Sequence, residues 1–160
     1  MENWLSRTEM LIGAEGLKKL RSSSVLVVGL GGVGSFASEM ICRTGVGSMT
    51  IVDGDTIHPS NRNRQLLALK STTGVSKAEL MAARLMDINP KLDLTSINEY
   101  IKDERMIEIL DSGYDYVVDA IDTLSPKIFL IFHTMQRKYR LVSSMGSGGK
   151  YDPLQIRVAD

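Results

Sequence analysis

The stretch Val-Leu-Val-Val-Gly-Leu-Gly-Gly-Val-Gly, residues 25–34, decides the fold of this chain. A continuous apolar run predicts a strand that is buried on both faces, and the glycines after it predict a tight turn into a helix. Gly29, Gly31 and Gly34 occupy the positions of a G-x-G-x-x-G pattern, which sets backbone N–H groups and a helix N-terminus against the phosphates of a nucleotide. Asp53 ends the next apolar strand, at the spacing expected of an acid that binds a ribose.

Strands and helices alternate along the whole sequence. Strands are predicted at residues 25–28, 49–52, 92–97, 116–118 and 141–144. Helical periodicity, bounded by glycine, proline and serine, predicts helices at residues 10–20, 32–44, 76–88, 104–110 and 125–137. This alternation is typical of an α/β fold with a doubly wound, mostly parallel Rossmann-like sheet.

The predicted domain organisation is simple, because 160 residues are enough for one domain with its own core. Residues 1–20 form an N-terminal arm and helix, and residues 21–160 form one nucleotide-binding domain. Residues 152–160 alternate in polarity, which predicts the beginning of another strand and a chain that is truncated at its C-terminus.

The amino-acid composition limits the kinds of partner and the cellular environment that the sequence predicts. The formal net charge is zero, so no overall charge attracts nucleic acid or an anionic membrane, and an RNA substrate needs a local basic patch. The single cysteine, Cys42, excludes a disulfide framework and fits a reducing cytoplasm. The N-terminus lacks the apolar core of a signal peptide, and no apolar run is long enough to span a bilayer.

The long polar connection over residues 54–73 helps to distinguish between two classes of nucleotide-binding site. It contains Asn-Arg-Asn-Arg-Gln at residues 61–65, and Lys77 follows at the start of the next helix. A dinucleotide site holds its pyrophosphate mainly with backbone amides and a helix dipole, whereas an enzyme that splits a triphosphate must offset charge on the leaving pyrophosphate. Taken singly, Arg64 and Lys77 fit a solvated charged loop better. Together, opposite the glycine turn, they favour phosphate chemistry.

Three further charged residues have two interpretations each. Asp122 follows the fourth strand at the same sheet edge as Asp53, where it either holds Mg2+ against phosphates or caps the helix that begins near Ser125. Asp55 either contacts a ligand or stabilises its own loop as an Asx turn. Arg7 lies on a mobile N-terminal arm, from which it either reaches the phosphates of a neighbouring subunit or is merely solvated.

These motifs together resemble the ThiF/MoeB/HesA superfamily, whose members are relatives of the ubiquitin-activating enzymes. The resemblance covers essentially the whole chain from Arg7 onward, and it is carried by residues 27–34, 51–55, 61–65, 77 and 119–122. One branch of the superfamily is most similar, the tRNA threonylcarbamoyladenosine dehydratases. The segments that resemble this branch are residues 43–47, 113–122, 126–127 and 146–153.

The resemblance implies an enzyme that adenylylates a carboxylate with ATP and Mg2+, with residues 21–160 as its ATP-binding domain. It assigns Asp53 to the ribose, Asp122 to Mg2+ and Arg7 to the partner subunit's site in a homodimer. The implied nucleotide-binding residues are Gly29, Gly31, Gly32, Gly34, Asp53, Asn61, Arg64 and Lys77. The implied catalytic residues are Arg64, Lys77, Asp122 and Arg7.

For the dehydratase branch, the implied carboxylate belongs to N6-threonylcarbamoyladenosine in tRNA, and its activation leads to cyclisation with net loss of water. Three alternatives stay open: activation of the C-terminal carboxylate of a ubiquitin-like sulfur-carrier protein, an NAD-dependent oxidoreductase, and a nucleotide-binding scaffold without chemistry. The resemblance implies a cytoplasmic enzyme without a membrane anchor. It leaves open a monovalent cation and a sulfur-transfer protein partner.

Overall fold

All five strands of the described residues, 4–146 and 151–159 of the computed structural model, lie in one parallel sheet. The strands are β1 (Ser24–Val28), β2 (Ser48–Val52), β3 (Asp93–Ile97), β4 (Tyr116–Asp119) and β5 (Arg140–Ser143). The helices are α1 (Ser6–Ser22), α2 (Gly34–Arg43), α3 (Lys77–Ile88), α4 (Asp103–Asp111) and α5 (Leu124–Gln136). None of the helices in these ranges is long and apolar enough to cross a membrane.

The strand order, β3-β2-β1-β4-β5, confirms the predicted doubly wound α/β fold. Strand β1 is central, and its four apolar residues are all buried, as a strand covered on both faces requires. Val25 and Val27 pack with α2 and α3 on one face, and Leu26 and Val28 pack with α4 and α5 on the other. The order reverses between β1 and β4, and such a switch point opens a crevice at the carboxyl ends of these strands.

Helix α1 differs from the predicted short helix on a flexible arm. It begins at Ser6 rather than at residue 10, and Gly13, with a φ of 74°, kinks it. Leu5, just before the helix, is only 5% exposed, and its side chain fills the space that a side chain on Gly45 would occupy. Arg7 therefore lies in the first turn of α1 rather than in an irregular arm.

The connection between β2 and α3 has more structure than its polar sequence predicts. Its two ends pair as short antiparallel segments: the Ile57 N–H donates to the Val75 carbonyl at 2.8 Å, and the Lys77 N–H donates to the Asp55 carbonyl at 3.0 Å. A 3-10 helix, Pro59–Asn63, lies between these ends. The pairing returns the chain to the end of β2, so that the first residue of α3 lies beside it.

Residues 151–159 contain no strand, so the predicted beginning of a strand over residues 152–160 is wrong for the residues described. The Asp152 carboxylate accepts the Leu154 N–H at 3.0 Å, and a 3-10 helix, Pro153–Gln155, follows. An aspartate followed by a proline favours a turn, since proline has no N–H to donate to a strand. Residues 147–150, part of the segment that resembles the dehydratase branch, lie outside the described residues.

Two glycines allow the turn after β1 to form. Gly29 has a φ of +92°, a left-handed conformation that favours glycine, and a β-carbon there would lie 2.7 Å from the Ala120 carbonyl oxygen. A β-carbon on Gly34, where α2 begins, would lie 1.7 Å from the Gly29 carbonyl oxygen. Helix α2 therefore starts in direct contact with the end of β1, and the turn residues Gly31 and Gly32 line the crevice.

We expect Gly34→Ala to lower the free energy of unfolding by about 3 kcal/mol or more, because the new methyl group meets backbone that cannot move aside. Gly31→Ala is the matched control. Its β-carbon would meet only Gln65 Nε2, at 3.7 Å, so its cost should stay below about 1 kcal/mol. Urea unfolding followed by circular dichroism measures both variants, and equal losses would contradict the close-packing role of Gly34.

Candidate active site

A cleft of about 1110 Å3 opens at the carboxyl ends of the strands, where the strand order reverses between β1 and β4. Its size is comparable with the upper end of the range of ~300–1,000 Å3 that is typical of small-molecule sites. The cleft brings together most of the sequence-predicted site residues, which are Gly29, Gly31, Gly32, Asp53, Arg64, Lys77 and Asp122. Three predicted residues do not line it: Gly34, Asn61 and Arg7.

Asp53 ties the glycine turn to the end of β2. One carboxylate oxygen accepts the Leu30 N–H at 2.7 Å, and the other accepts the Asp55 N–H at 2.8 Å. Burial raises the pKa of the Asp53 carboxyl above its ordinary value, and the two N–H groups partly oppose this shift because they stabilise the charged form. Each carboxylate oxygen keeps a second lone pair, so Asp53 has acceptors left for the hydroxyls of a ribose.

Lys77 lies in the wall of the cleft, where the Asp55 carboxylate balances its positive charge. Its side chain is buried, and Nζ donates to Asp55 Oδ2 at 2.7 Å. The Lys77 ammonium and, after it, the Tyr100 hydroxyl hold the pKa of Asp55 below its ordinary value. The hydroxyl donates to Asp55 Oδ1 at 2.5 Å. The Asp55 side chain is therefore an ion-pair partner of Lys77, which neither interpretation of Asp55 from the sequence included.

Arg64 presents its guanidinium beside the glycine turn. Its Nη1 donates to the Asn63 side-chain oxygen at 2.9 Å and to the Ser60 carbonyl at 3.3 Å, and its Cγ would lie 3.4 Å from a β-carbon on Gly32. The side chain is exposed, and none of the ion pairs within the described ranges includes it. Its positive charge is therefore available to an anion in the cleft.

The three predicted residues that do not line the cleft have other positions. The Asn61 side-chain oxygen accepts the His58 N–H at 2.9 Å and so stabilises the start of the 3-10 helix. Gly34 packs against Gly29 behind the turn, and Arg7 is exposed on α1. The nucleotide contact of Asn61 and the partner-subunit role of Arg7 stay predictions.

Asp122 is exposed on the wall of the cleft, in the segment between β4 and α5. Thr123 is the residue before α5, and no side chain caps this helix, so the helix-capping interpretation of Asp122 is wrong. Among the described residues, no group of three or more His, Cys, Asp or Glu side chains is arranged to hold a metal. A single carboxylate still fits Mg2+, which usually binds one or two carboxylates together with substrate phosphates.

A buried ion pair, which the sequence does not predict, supports this segment. Asp119 is fully buried, and its Oδ2 accepts Lys127 Nζ at 2.5 Å. Lys127 Nζ also donates to the Ser144 carbonyl at 2.9 Å, and Asp119 Oδ1 accepts the Ile121 N–H at 3.0 Å. The pair thus joins β4, α5 and the residue after β5. Its one sequence signal is an aspartate at the end of an apolar strand, and no pattern identifies Lys127 as the partner.

Gln65 leaves a polar atom in the cleft without a protein partner. Its side chain lines the cleft and is 9% exposed, and Oε1 has no hydrogen-bond partner among the residues that the structure describes. Its Nε2 would lie 3.7 Å from a β-carbon on Gly31. A buried amide oxygen of this kind is expected where a ligand or an ordered water supplies the donor. The cleft beside the glycine turn therefore fits a polar ligand.

These features define a nucleotide-binding α/β domain with cationic side chains close to its glycine turn. The chain belongs to the ThiF family, whose family model matches residues 5–156. This assignment confirms the superfamily that the motifs of the glycine turn, the Asp53 strand and the arginine loop predict.

Two curated relatives carry the name tRNA threonylcarbamoyladenosine dehydratase, which confirms the resemblance to that branch. The Bacillus subtilis protein is 45% identical over 160 residues, which are 100% of this chain and 63% of that protein. The Escherichia coli protein is 40% identical over 153 residues, which are 96% of this chain and 57% of that protein. The chain therefore spans less than two thirds of the length of these relatives.

A solved structure has the same fold. It is the E. coli tRNA N6-threonylcarbamoyladenosine dehydratase, TcdA, in complex with ATP. The two chains superimpose with a TM-score of 0.94 at 40% sequence identity, over 98% of this chain and 64% of that chain. The likeness confirms the Rossmann-like architecture and shows that a relative with this fold binds ATP.

We expect Lys127→Met to lower the free energy of unfolding by about 3–5 kcal/mol, because it leaves the Asp119 carboxylate buried without its counter-charge. Arg105→Met is the control, since it removes an arginine whose ion pair with Glu99 is exposed and should cost far less. Urea titration at constant pH measures both variants. If Lys127→Met cost as little as the control, the buried pair would not be what holds this wall of the cleft.

Proposed function

We propose that this chain uses ATP to adenylylate the carboxylate of N6-threonylcarbamoyladenosine in tRNA, and that the adenylate then cyclises with net loss of water. The observation that carries the proposal is that the glycine turn, Asp53, Arg64 and Lys77 meet in one cleft. The names of the two relatives support tRNA as the substrate, and the ATP complex of E. coli TcdA supports the nucleotide.

Binding of ATP begins at the glycine turn of the proposed adenylylation domain, residues 21–160. The backbone N–H groups at the start of α2, together with the dipole of that helix, attract the triphosphate. The Asp53 carboxylate accepts hydrogen bonds from the ribose hydroxyls. Gln65 offers its side-chain amide to the nucleotide from the wall of the cleft. The predicted contact of Asn61 requires its side chain to leave the His58 N–H and turn to the cleft. These contacts hold the α-phosphate where a carboxylate reaches it.

The reaction turns a poor electrophile into a reactive one. A carboxylate oxygen of the threonylcarbamoyl group attacks the α-phosphorus, and the bond from that phosphorus to the bridging oxygen breaks, which releases pyrophosphate. Negative charge grows on the leaving pyrophosphate, where the Arg64 guanidinium and the Lys77 ammonium stabilise it. A nucleophile within the threonylcarbamoyl group then attacks the acyl carbon. AMP then leaves, and it carries away the former carboxylate oxygen, which is the oxygen that the net loss of water removes from the substrate.

Mg2+ fits the same cleft through Asp122. When bound, the ion supplies positive charge to the phosphates. Asp122 would hold it as the protein carboxylate, because this side chain is exposed on the cleft wall and is not used to cap α5. A requirement for a monovalent cation stays a prediction of the resemblance, and no residue is assigned to it.

A homodimer is part of the proposal, and two helices that expose apolar side chains support it. On α2, Phe36 and Met40 are exposed, whereas the polar Ser38 and Glu39 are buried. On α5, the exposed apolar residues are Leu124, Ile128, Phe132 and Met135. Exposed apolar patches of this kind are typical of protein–protein interfaces. In the proposed dimer, Arg7 of each chain serves the cleft of its partner.

Each of the two alternative enzymes differs from the proposed one in a single respect, either the cofactor or the substrate. An NAD-dependent oxidoreductase has no pyrophosphate step, and the ATP-bound relative favours ATP over NAD. Activation of a sulfur carrier keeps the same chemistry but replaces tRNA by the C-terminal carboxylate of a protein, and a sulfur-transfer protein stays a predicted partner. Since the proposed substrate is tRNA, we place the reaction in the cytoplasm.

The proposal predicts that deletion of the gene removes the cyclised nucleoside from tRNA. Mass spectrometry of tRNA nucleosides should find N6-threonylcarbamoyladenosine in its place, and the wild-type gene should restore the ring. Arg64→Ala should not restore it, because the loss of one charge-stabilising contact slows such a reaction by about 100- to 1,000-fold. Persistence of the cyclised nucleoside in the deletion strain would contradict the tRNA substrate and favour the sulfur carrier.

Arg62→Ala is the matched control for Arg64→Ala. Both arginines lie in or beside the 3-10 helix and both are exposed. Arg62 does not line the cleft, and its Nε donates to the Pro59 carbonyl at 3.2 Å. We expect Arg62→Ala to restore the cyclised nucleoside as the wild type does. If both arginine variants failed alike, the position of Arg64 at the glycine turn would not explain its role.

Mixed subunits test the role of Arg7. A site of the proposed homodimer is complete when its own chain supplies Arg64 and the partner chain supplies Arg7. We expect Arg7→Ala and Arg64→Ala proteins to be inactive separately. An equal mixture, after subunit exchange, should regain about a quarter of the wild-type adenylylation rate, because half of the dimers are mixed and each has one complete site. A mixture that stays inactive after exchange would show that Arg7 does not act across the interface.

A further inference from the structure

Asp55 is bonded to two side chains that come from different elements. Its Oδ2 accepts Lys77 Nζ at 2.7 Å, and its Oδ1 accepts the Tyr100 hydroxyl at 2.5 Å. Lys77 begins α3, whereas Tyr100 lies in the connection between β3 and α4. All three residues line the cleft. Asp55 therefore uses both of its oxygens to join two walls of the site.

Lys77 is the buried member of this group. It is 5% exposed, and the side chain of Asp55 is about half exposed. An ammonium with so little water around it loses its proton readily unless a negative charge lies close. The carboxylates that face Lys77 are Asp55, in direct contact, and Asp53, which acts at longer range. Without Asp55, Lys77 keeps only the more distant of the two.

Tyr100 is held against Asp55 by the backbone beneath it. A β-carbon on Gly54 would lie 2.5 Å from the Tyr100 nitrogen and 2.8 Å from its Cγ, so the Tyr100 segment crosses directly over the residue before Asp55. The contact with Asp55 raises the pKa of Tyr100 above its ordinary value, so that the hydroxyl stays protonated and donates. Tyr100 thus fixes one oxygen of Asp55 and leaves the other to Lys77.

We propose that Asp55 is the positioning residue of Lys77, which it keeps charged and aimed along the cleft wall until a polyphosphate arrives, and that Tyr100 holds Asp55 in place for this role. The inference rests on the proposed binding of ATP to this cleft. Asp55 acts through Lys77 and not on the nucleotide. Once a polyphosphate binds, its own negative charge supports the Lys77 ammonium.

The test is the affinity of the full chain for ATP with Mg2+, measured by titration calorimetry between about pH 7 and pH 10. We expect the Kd of the wild type to change little over this range. For Asp55→Asn, the Kd should rise with pH by up to about tenfold per pH unit, because a buried Lys77 without its counter-charge must take up one proton when ATP binds. Tyr100→Phe should raise the Kd by about 2- to 10-fold, since it removes one hydrogen bond from Asp55.

Two controls separate charge from packing. Asp55→Glu keeps the carboxylate and should keep the flat pH profile. Glu108→Gln removes a carboxylate that lies outside the cleft and whose partner is Arg105, and it should leave the Kd unchanged. A Kd for Asp55→Asn that is raised equally at every pH overturns the inference, because altered packing alone would have that effect. If Asp55→Asn does not fold, an unchanged Kd in Tyr100→Phe overturns it instead.

The same titration distinguishes this inference from the proposed function. A wild-type chain that does not bind ATP at any pH overturns the proposed function and this inference together. A wild-type chain that binds ATP, with an Asp55→Asn profile as flat as its own, overturns the role of Asp55 alone.

Discussion

The start of α2 in contact with the end of β1 is the constraint on which the rest of this domain depends. Gly34 has no side chain, and a β-carbon there would lie 1.7 Å from the Gly29 carbonyl oxygen. This contact fixes the turn between the two glycines, and the turn presents the Leu30 N–H to the Asp53 carboxylate at 2.7 Å. The ends of β1 and β2 and the start of α2 are therefore one hydrogen-bonded unit, and the cleft opens beside it.

Three of the four cationic side chains that line the cleft in the described residues differ in how closely a carboxylate balances their charge. Lys127 is paired with the fully buried Asp119, Lys77 with the half-exposed Asp55, and Arg64 with neutral oxygens. A polyphosphate therefore meets no competing carboxylate at Arg64. It competes with the half-exposed Asp55 carboxylate for Lys77, and it would have to break a buried ion pair to reach Lys127. This order favours Arg64 and Lys77 for phosphate chemistry and Lys127 for support. The pairing depends on distances between elements, which no sequence pattern contains.

Local sequence patterns suffice for the sheet and the glycine turn. The sequence predicts all five strands within two residues of their observed bounds, and the signal is clearest for β1, because a strand buried on both faces requires a continuous apolar run. The closure of the loop over residues 54–76 is not predictable in this way. The backbone hydrogen bond from the Ile57 N–H to the Val75 carbonyl forms with any residue except proline at position 57, so it leaves no sequence pattern. At Asp152, the alternating pattern predicts a strand, but the turn chemistry of the Asp-Pro pair prevails.

The central claim is that Arg64 and Lys77 offset negative charge as a triphosphate splits. A crystal structure of this chain with a non-hydrolysable ATP analogue and Mg2+ tests it most directly. We predict that the polyphosphate lies on the N–H groups of the glycine turn, with both cations in hydrogen-bond contact with its oxygens and Asp53 on the ribose. A polyphosphate that points away from Arg64 and Lys77 would contradict the assigned reaction, although the nucleotide-binding fold would stand.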